Sequence, residues 1–146
     1  MAYPNAYTAY KETGVKTASQ GKLIIMLYEE ACRQLQSAEG LFQEDDKIPP
    51  KNIEKLNKCV VRTQEIISEL MVSLDMEKGG EIAKNLMALY VWFNQQLLEA
   101  NINRNKEKIV SVHNMMSSLC GAWNTAVETT APVAAPESYS SIDING

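Results

Sequence analysis

A chain of 146 residues, 45% of them hydrophobic and 22% charged, has the size and make-up of one globular domain and can bury a core without disulfides or metals. A formal net charge of -4 with no basic stripe excludes nucleic acid and an anionic membrane surface as partners, because both need clustered Lys and Arg. No run of about 18 apolar residues is present, which excludes direct membrane insertion.

Residues 1–18 are rich in Tyr and Thr, carry Pro4 and Gly14, and show no helical period. They read as an N-terminal arm or short capping helix. Tyr3, Tyr7 and Tyr10 have the spacing of one helical face, so the arm is expected to pack on something. The sequence MAYPNAYTAYKE has no apolar core stretch and does not read as a signal peptide.

The first long helix is expected from Ser19, a good N-cap, with Thr17 to Gln20 offering a competing capping box. Ile24, Leu27, Ala31, Leu35, Ala38 and Phe42 recur at steps of three and four, which is an amphipathic stripe. Acidic residues and Ile48-Pro49-Pro50 end it. The second helix spans about Asn52 to Leu74, with Ile53, Leu56, Val60, Thr63, Ile67, Leu70 and Leu74 in unbroken heptad spacing. Gly79-Gly80 then marks a turn. The third helix, about Gly80 to Asn101, points Ile82, Leu86, Leu89, Phe93, Leu97 and Ala100 inward. Asn101, Asn103 and Asn105 supply turn and cap chemistry. The fourth, about Asn105 to Glu128, buries Ile109, Val112, Met116, Leu119, Trp123 and Ala126. Residues 129–146 lose the period and read as a disordered tail.

Helices of roughly 22 to 26 residues are about 33 to 39 Å long. Short connections make sequential neighbours antiparallel. The expected fold is therefore all-α: an antiparallel up-down four-helix bundle over residues 19–128, with an arm before it and a tail after it.

Site chemistry is sparse. The chain has one histidine, His113, and no Glu-x-x-His, so the di-iron arrangement of helical bundles is excluded. A Ser/His/Asp triad would have to rely on that same histidine. Gly79-Gly80 lacks the Lys-Ser/Thr of a phosphate-binding loop. Cys32, Cys59 and Cys120 are odd in number, far apart and without CxxC spacing. They suggest neither a zinc site nor a disulfide framework and read as small hydrophobes inside helices. A reducing cytoplasm fits them. No catalytic, cofactor-binding or metal-ligating residue is expected, and the chain does not read as an enzyme.

The seams leave many apolar side chains over, among them Leu23, Ile25, Met26 and Tyr28, then Ile66 and Met71, then Met87, Tyr90, Val91, Trp92 and Leu98. A bundle helix needs a wide apolar stripe, and that absorbs part of this surplus. An apolar groove left open on such a bundle takes up an amphipathic helix, and flexible Met side chains suit the contact.

Three stretches resemble the flagellin-specific export chaperones, the FliS family. They are Tyr7-Thr-Ala-Tyr10-Lys11 with Thr17-Ala-Ser19, then Gly21-Lys-Leu-Ile-Ile-Met-Leu-Tyr28, and then Ser73-Leu-Asp-Met-Glu-Lys-Gly-Gly-Glu-Ile-Ala-Lys-Asn-Leu86 with Leu89-Tyr90 and Glu99-Ala-Asn101. Gln20 stands where the family often has Pro. Tyr28-Glu29-Glu30 replaces Tyr-Asp-Gly, and Val91-Trp92-Phe93 replaces a polar-Tyr-Met stretch. These are changes of contact surface, not of architecture.

The resemblance implies a chaperone of the bacterial cytosol that binds the disordered C-terminal segment of flagellin, prevents premature polymerisation and presents it to the flagellar type III export apparatus. It implies docking at the export gate when loaded. The arm is then a switch that covers a groove when empty. Candidate contact residues are Tyr7 and Tyr10 on the arm, with Ile25, Ile66, Leu70, Met71, Met87 and Tyr90 on the helices. Two alternatives stand beside this reading: a histidine-phosphotransfer bundle acting through His113, and a regulator that sequesters another flagellar protein such as an anti-sigma factor.

Overall fold

The structure is a computed structural model that describes residues 19–134, with side chains described for 20–128. Four helices follow one another: α1 (Ser19–Glu39), α2 (Ile53–Val72), α3 (Gly80–Asn103) and α4 (Lys106–Ala134). A 3-10 turn at Pro50–Asn52 precedes α2, and no strand occurs among the described residues. Each helix packs on two others. α1 lies against α2 and α4, and α3 closes the ring against the same pair.

Cross-helix bonds fix an antiparallel register. Glu39 near the end of α1 meets His113 near the start of α4, and Tyr28 lies beside Trp123 further along the same pair. Asn57 meets Asn101, and Gln64 meets the carbonyl of Asn94, across α2 and α3. This is the up-down bundle that the short connections imply. The arm, Thr17 and Ala18 of the expected cap, and residues 135–146 lie outside the described residues. α4 itself continues to Ala134 and so takes in residues 129–134, which composition assigns to the tail. Thr129 to Ala131 contain no helix breaker, and Pro132 is the first.

Local chemistry explains where each helix stops. After α1 the chain turns through Asp46 at φ 63, with the Gln43 amide bonded to the Lys47 carbonyl at 2.7 Å. After α2 the Ser73 hydroxyl donates to the Leu70 carbonyl at 2.7 Å, and the Asp75 carboxylate accepts the Glu77 and Lys78 amides at 3.1 and 2.9 Å. Gly79 is required there, since a Cβ would stand 2.7 Å from the Asp75 carbonyl oxygen and 2.6 Å from the Ala83 Cβ. Gly80 takes φ +55, which glycine adopts at no steric cost. α3 ends on Arg104 in the left-handed region at φ 53, and the Asn105 side chain caps α4 by accepting the Lys108 amide at 3.2 Å.

The seams of α1 and α2 are buried as their spacing predicts. Ile24, Leu27, Ala31, Leu35, Ala38 and Phe42 face Leu56, Val60, Thr63, Ile67 and Leu70 in one core. Ile53 at the start of α2 and Leu74, two residues beyond its end, are half-buried. Thr63 tolerates full burial because its hydroxyl donates to the Cys59 carbonyl at 2.8 Å. Two inward assignments are corrected. Ile82 is 72% exposed, because the α2–α3 register carries it opposite Met76, beyond the end of α2. Ala126 is also exposed, and the α1–α4 register sets it opposite Met26, which is itself turned to solvent.

Candidate functional site

Apolar surface concentrates on α3. Of the ten large hydrophobic residues exposed among the described residues, five, Ile82, Val91, Trp92, Leu98 and Ile102, belong to this helix, so its outer side is not the polar side of an ordinary surface helix. Its inner side is apolar as well, with Ala83, Tyr90, Phe93, Leu97 and Ala100 buried. Steps of four, seven and four place Met87, Val91, Leu98 and Ile102 on one outer stripe. Val91, Leu98 and Ile102 are 51%, 52% and 63% exposed.

This stripe runs beside the contact of α3 with α2. That contact carries polar bonds: Asn101 Nδ2 donates to Asn57 Oδ1 at 2.7 Å, and Gln64 Nε2 donates to the Asn94 carbonyl at 3.2 Å. Asn94 Oδ1 is buried there without a hydrogen-bond partner. The same register sets Met71 of α2 opposite Met87 of α3, and both are half-buried. Val61 and Val72 of α2 add further exposed apolar surface.

The expected contact residues divide. Met71 and Met87 stand at one level of the α2–α3 pair, both half-buried. Ile66, Leu70 and Tyr90 lie in the core with at most 1% of their surface exposed, and offer no free surface to a partner in this conformation. Ile25 is buried apart from the main core cluster. Tyr7 and Tyr10 lie outside the described residues. Leu98 and Val91 count among the leftover apolar residues in the sequence, but their regular spacing with Met87 and Ile102 is the signal that singles them out.

Tyr90 has a structural role. Its hydroxyl meets that of Tyr28 at 2.5 Å, and both rings are buried. The Tyr28 ring also lies beside Trp123, and the Tyr90 ring beside Phe93, each with centroids 6.4 Å apart. Burial holds the Tyr28 phenol above its usual range, against the opposing effect of its bonds to Tyr90 and Trp123. Burial raises Tyr90 further, reinforced by the charge and hydrogen bond of Tyr28. Both stay protonated at neutral pH and tie α1 to α3 through the centre of the bundle.

A groove of about 430 Å³ runs between α1 and α4 and is lined by Glu29, Cys32, Arg33, His113, Ser117 and Cys120, among others. His113 Nδ1 lies 2.7 Å from Glu39 Oε2, with about a quarter of each side chain exposed. Among the described residues no three His, Cys, Asp or Glu side chains are grouped to hold a metal ion. No described helix is long and apolar enough to cross a membrane.

The family model described as "Flagellar protein FliS" matches residues 3–130. The chain belongs to the FliS family. It is 38% identical over 118 residues to the flagellar secretion chaperone FliS of Campylobacter jejuni, covering 81% of this chain and 88% of that relative. It is 38% identical over 112 residues to the protein of the same name in Salmonella typhimurium, covering 77% and 79%. Over 129 residues it is 29% identical to that of Bacillus subtilis, covering 88% and 91%. The FliS match takes in the whole of α1, α2 and α3 and most of α4, so the α3 stripe and the groove between α1 and α4 lie within it.

Proposed function

We propose that this protein is a cytoplasmic chaperone for flagellin, which binds the disordered C-terminal segment, prevents its premature polymerisation and presents it to the flagellar type III export apparatus. The single observation that carries the reading is α3, apolar on its core side and again along Met87, Val91, Leu98 and Ile102. A surface stripe of this kind receives the apolar face of an amphipathic helix. The names of its FliS relatives, flagellar secretion chaperones, support a flagellar export substrate as the owner of that helix.

The mechanism is coupled folding and binding. The flagellin segment loses conformational entropy as it becomes helical on the stripe, and burial of apolar surface offsets that loss. While held, its apolar face is withdrawn from other flagellin subunits. Met71 and Met87 adapt to the incoming side chains through their flexible thioethers. Ile25, Ile66, Leu70 and Tyr90 act from beneath by fixing the helices that present the stripe. Tyr7 and Tyr10 of the arm compete for the same apolar surface, and the loaded form docks at the export gate. None of these steps requires bond-making chemistry.

The test is a titration of the full chain with a peptide from the C-terminal end of flagellin of the same organism. Calorimetry is expected to give one-to-one binding, with a gain of helix by circular dichroism. Absence of binding at micromolar concentrations overturns the proposal.

A further inference from the structure

Cys32 and Cys120 are distant in sequence, yet the bundle brings both to one groove between α1 and α4. α1 and α4 are held in register by the 2.7 Å contact of Glu39 with His113 and by Tyr28 beside Trp123. One heptad along from Glu39 and His113, on the same faces of the same two helices, stand Cys32 and Cys120. Both line the groove between α1 and α4. Both are half-buried and pack partly against the core, so they are held in place and still reachable from solvent. Small residues stand beside Cys120 in the groove: Ser117 one turn before it, and Gly121, where a Cβ would meet nothing within 4 Å. The third cysteine, Cys59, is on α2 and is not part of this groove.

We propose that Cys32 and Cys120 form a reversible interhelical disulfide when the protein meets hydrogen peroxide, making this groove a redox modification site. One thiolate attacks a peroxide oxygen, the O–O bond breaks, and the departing hydroxide takes a proton and leaves as water. The attacking cysteine is then a sulfenic acid. The second thiol gives up its proton, its thiolate attacks the sulfenyl sulfur, and the S–O bond breaks as hydroxide leaves and takes that proton. Two thiols are oxidised to one disulfide, and one peroxide is reduced to two waters. The thiolate is the reactive form, and burial with the nearby charge of Cys120 pushes the Cys32 thiol up to about 11. The pair therefore stays reduced under ordinary conditions and responds to strong oxidant only. Once formed, the bond staples α1 to α4 across a long loop of chain, which restricts the unfolded state.

The test is exposure of the full chain to hydrogen peroxide, followed by non-reducing peptide mapping. The expected product is a cross-link within one chain between the peptides holding Cys32 and Cys120, lighter by two hydrogens and reversed by dithiothreitol. It forms equally in Cys59→Ser and is lost in Cys32→Ser and in Cys120→Ser. The oxidised protein unfolds about 5 °C or more above the reduced one. A disulfide that includes Cys59, a disulfide between chains, sulfinic acid at either position without a cross-link, or no reaction at excess peroxide each overturns the proposal. The mapping is done on the unsubstituted chain, so the outcome does not depend on a variant folding.

Discussion

Tyr28 and Tyr90 bring two hydroxyls into the centre of an apolar core, where one donates to the other. Removing the Tyr28 hydroxyl leaves that of Tyr90 buried and unpaired, at a cost of about 1–3 kcal/mol. Tyr28→Phe is therefore expected to lower the unfolding free energy by that amount in urea titration, while Tyr28→Phe with Tyr90→Phe recovers part of the loss. The pair also sets a pH limit. Both phenols are raised in the folded state, so above about pH 10, the ordinary tyrosine range, the unfolded chain ionises while the folded one holds its protons. Stability is fully present below that pH and falls as pH rises beyond it. The double Phe variant is expected to show a shallower alkaline decline by urea titration at stepped pH. Arg104 is a different case, a non-glycine residue held at φ 53. Glycine removes the steric penalty of a left-handed L-residue, so Arg104→Gly is expected to stabilise the protein by about 1 kcal/mol in the same assay.

At the scale of elements, the turn between α2 and α3 is built around a glycine that admits no side chain. Gly79→Ala is expected to lower the thermal midpoint clearly, because the added Cβ meets the Asp75 carbonyl oxygen and the Ala83 Cβ below 3 Å. The opposite turn, on Arg104 and Asn105, relies on capping instead, which is why sequence alone places it well through its asparagines. The stripes of α1 and α2 are equally legible, since every residue from Ile24 to Phe42 in the α1 stripe is buried. Ile82 is where spacing misleads. It keeps the period of Leu86 and Leu89, but its level in the bundle lies beyond the last turn of α2, and a helix residue is buried only where another element reaches it.

At the scale of the whole molecule, the ring of four helices leaves α3 with an apolar back as well as an apolar front. Val91→Asp and Leu98→Asp change residues that are half exposed, so the bundle is expected to stay folded. If a flagellin segment lies on this stripe, each substitution weakens peptide binding at least about tenfold, since about 1.4 kcal/mol is lost when a well-buried contact is replaced by charge. His113→Gln, remote from the stripe, is expected to leave binding unchanged. Calorimetry on the three variants separates these outcomes.

The helices, their order and their antiparallel wiring are legible in the sequence. Those follow from period, breakers and loop length, all local properties of a chain. The FliS resemblance is equally local, carried in short contiguous stretches. Which leftover apolar residues are core and which are surface depends on packing instead. Periodicity fixes the angle of Ile66, Tyr90, Val91 and Leu98 about their own helix axes, and it is silent on where the neighbouring helices stand. The packing of α3 against α2 and α4 buries Tyr90 and leaves Val91 and Leu98 open, and the register of α1 on α4 brings Cys32 and Cys120 into one groove.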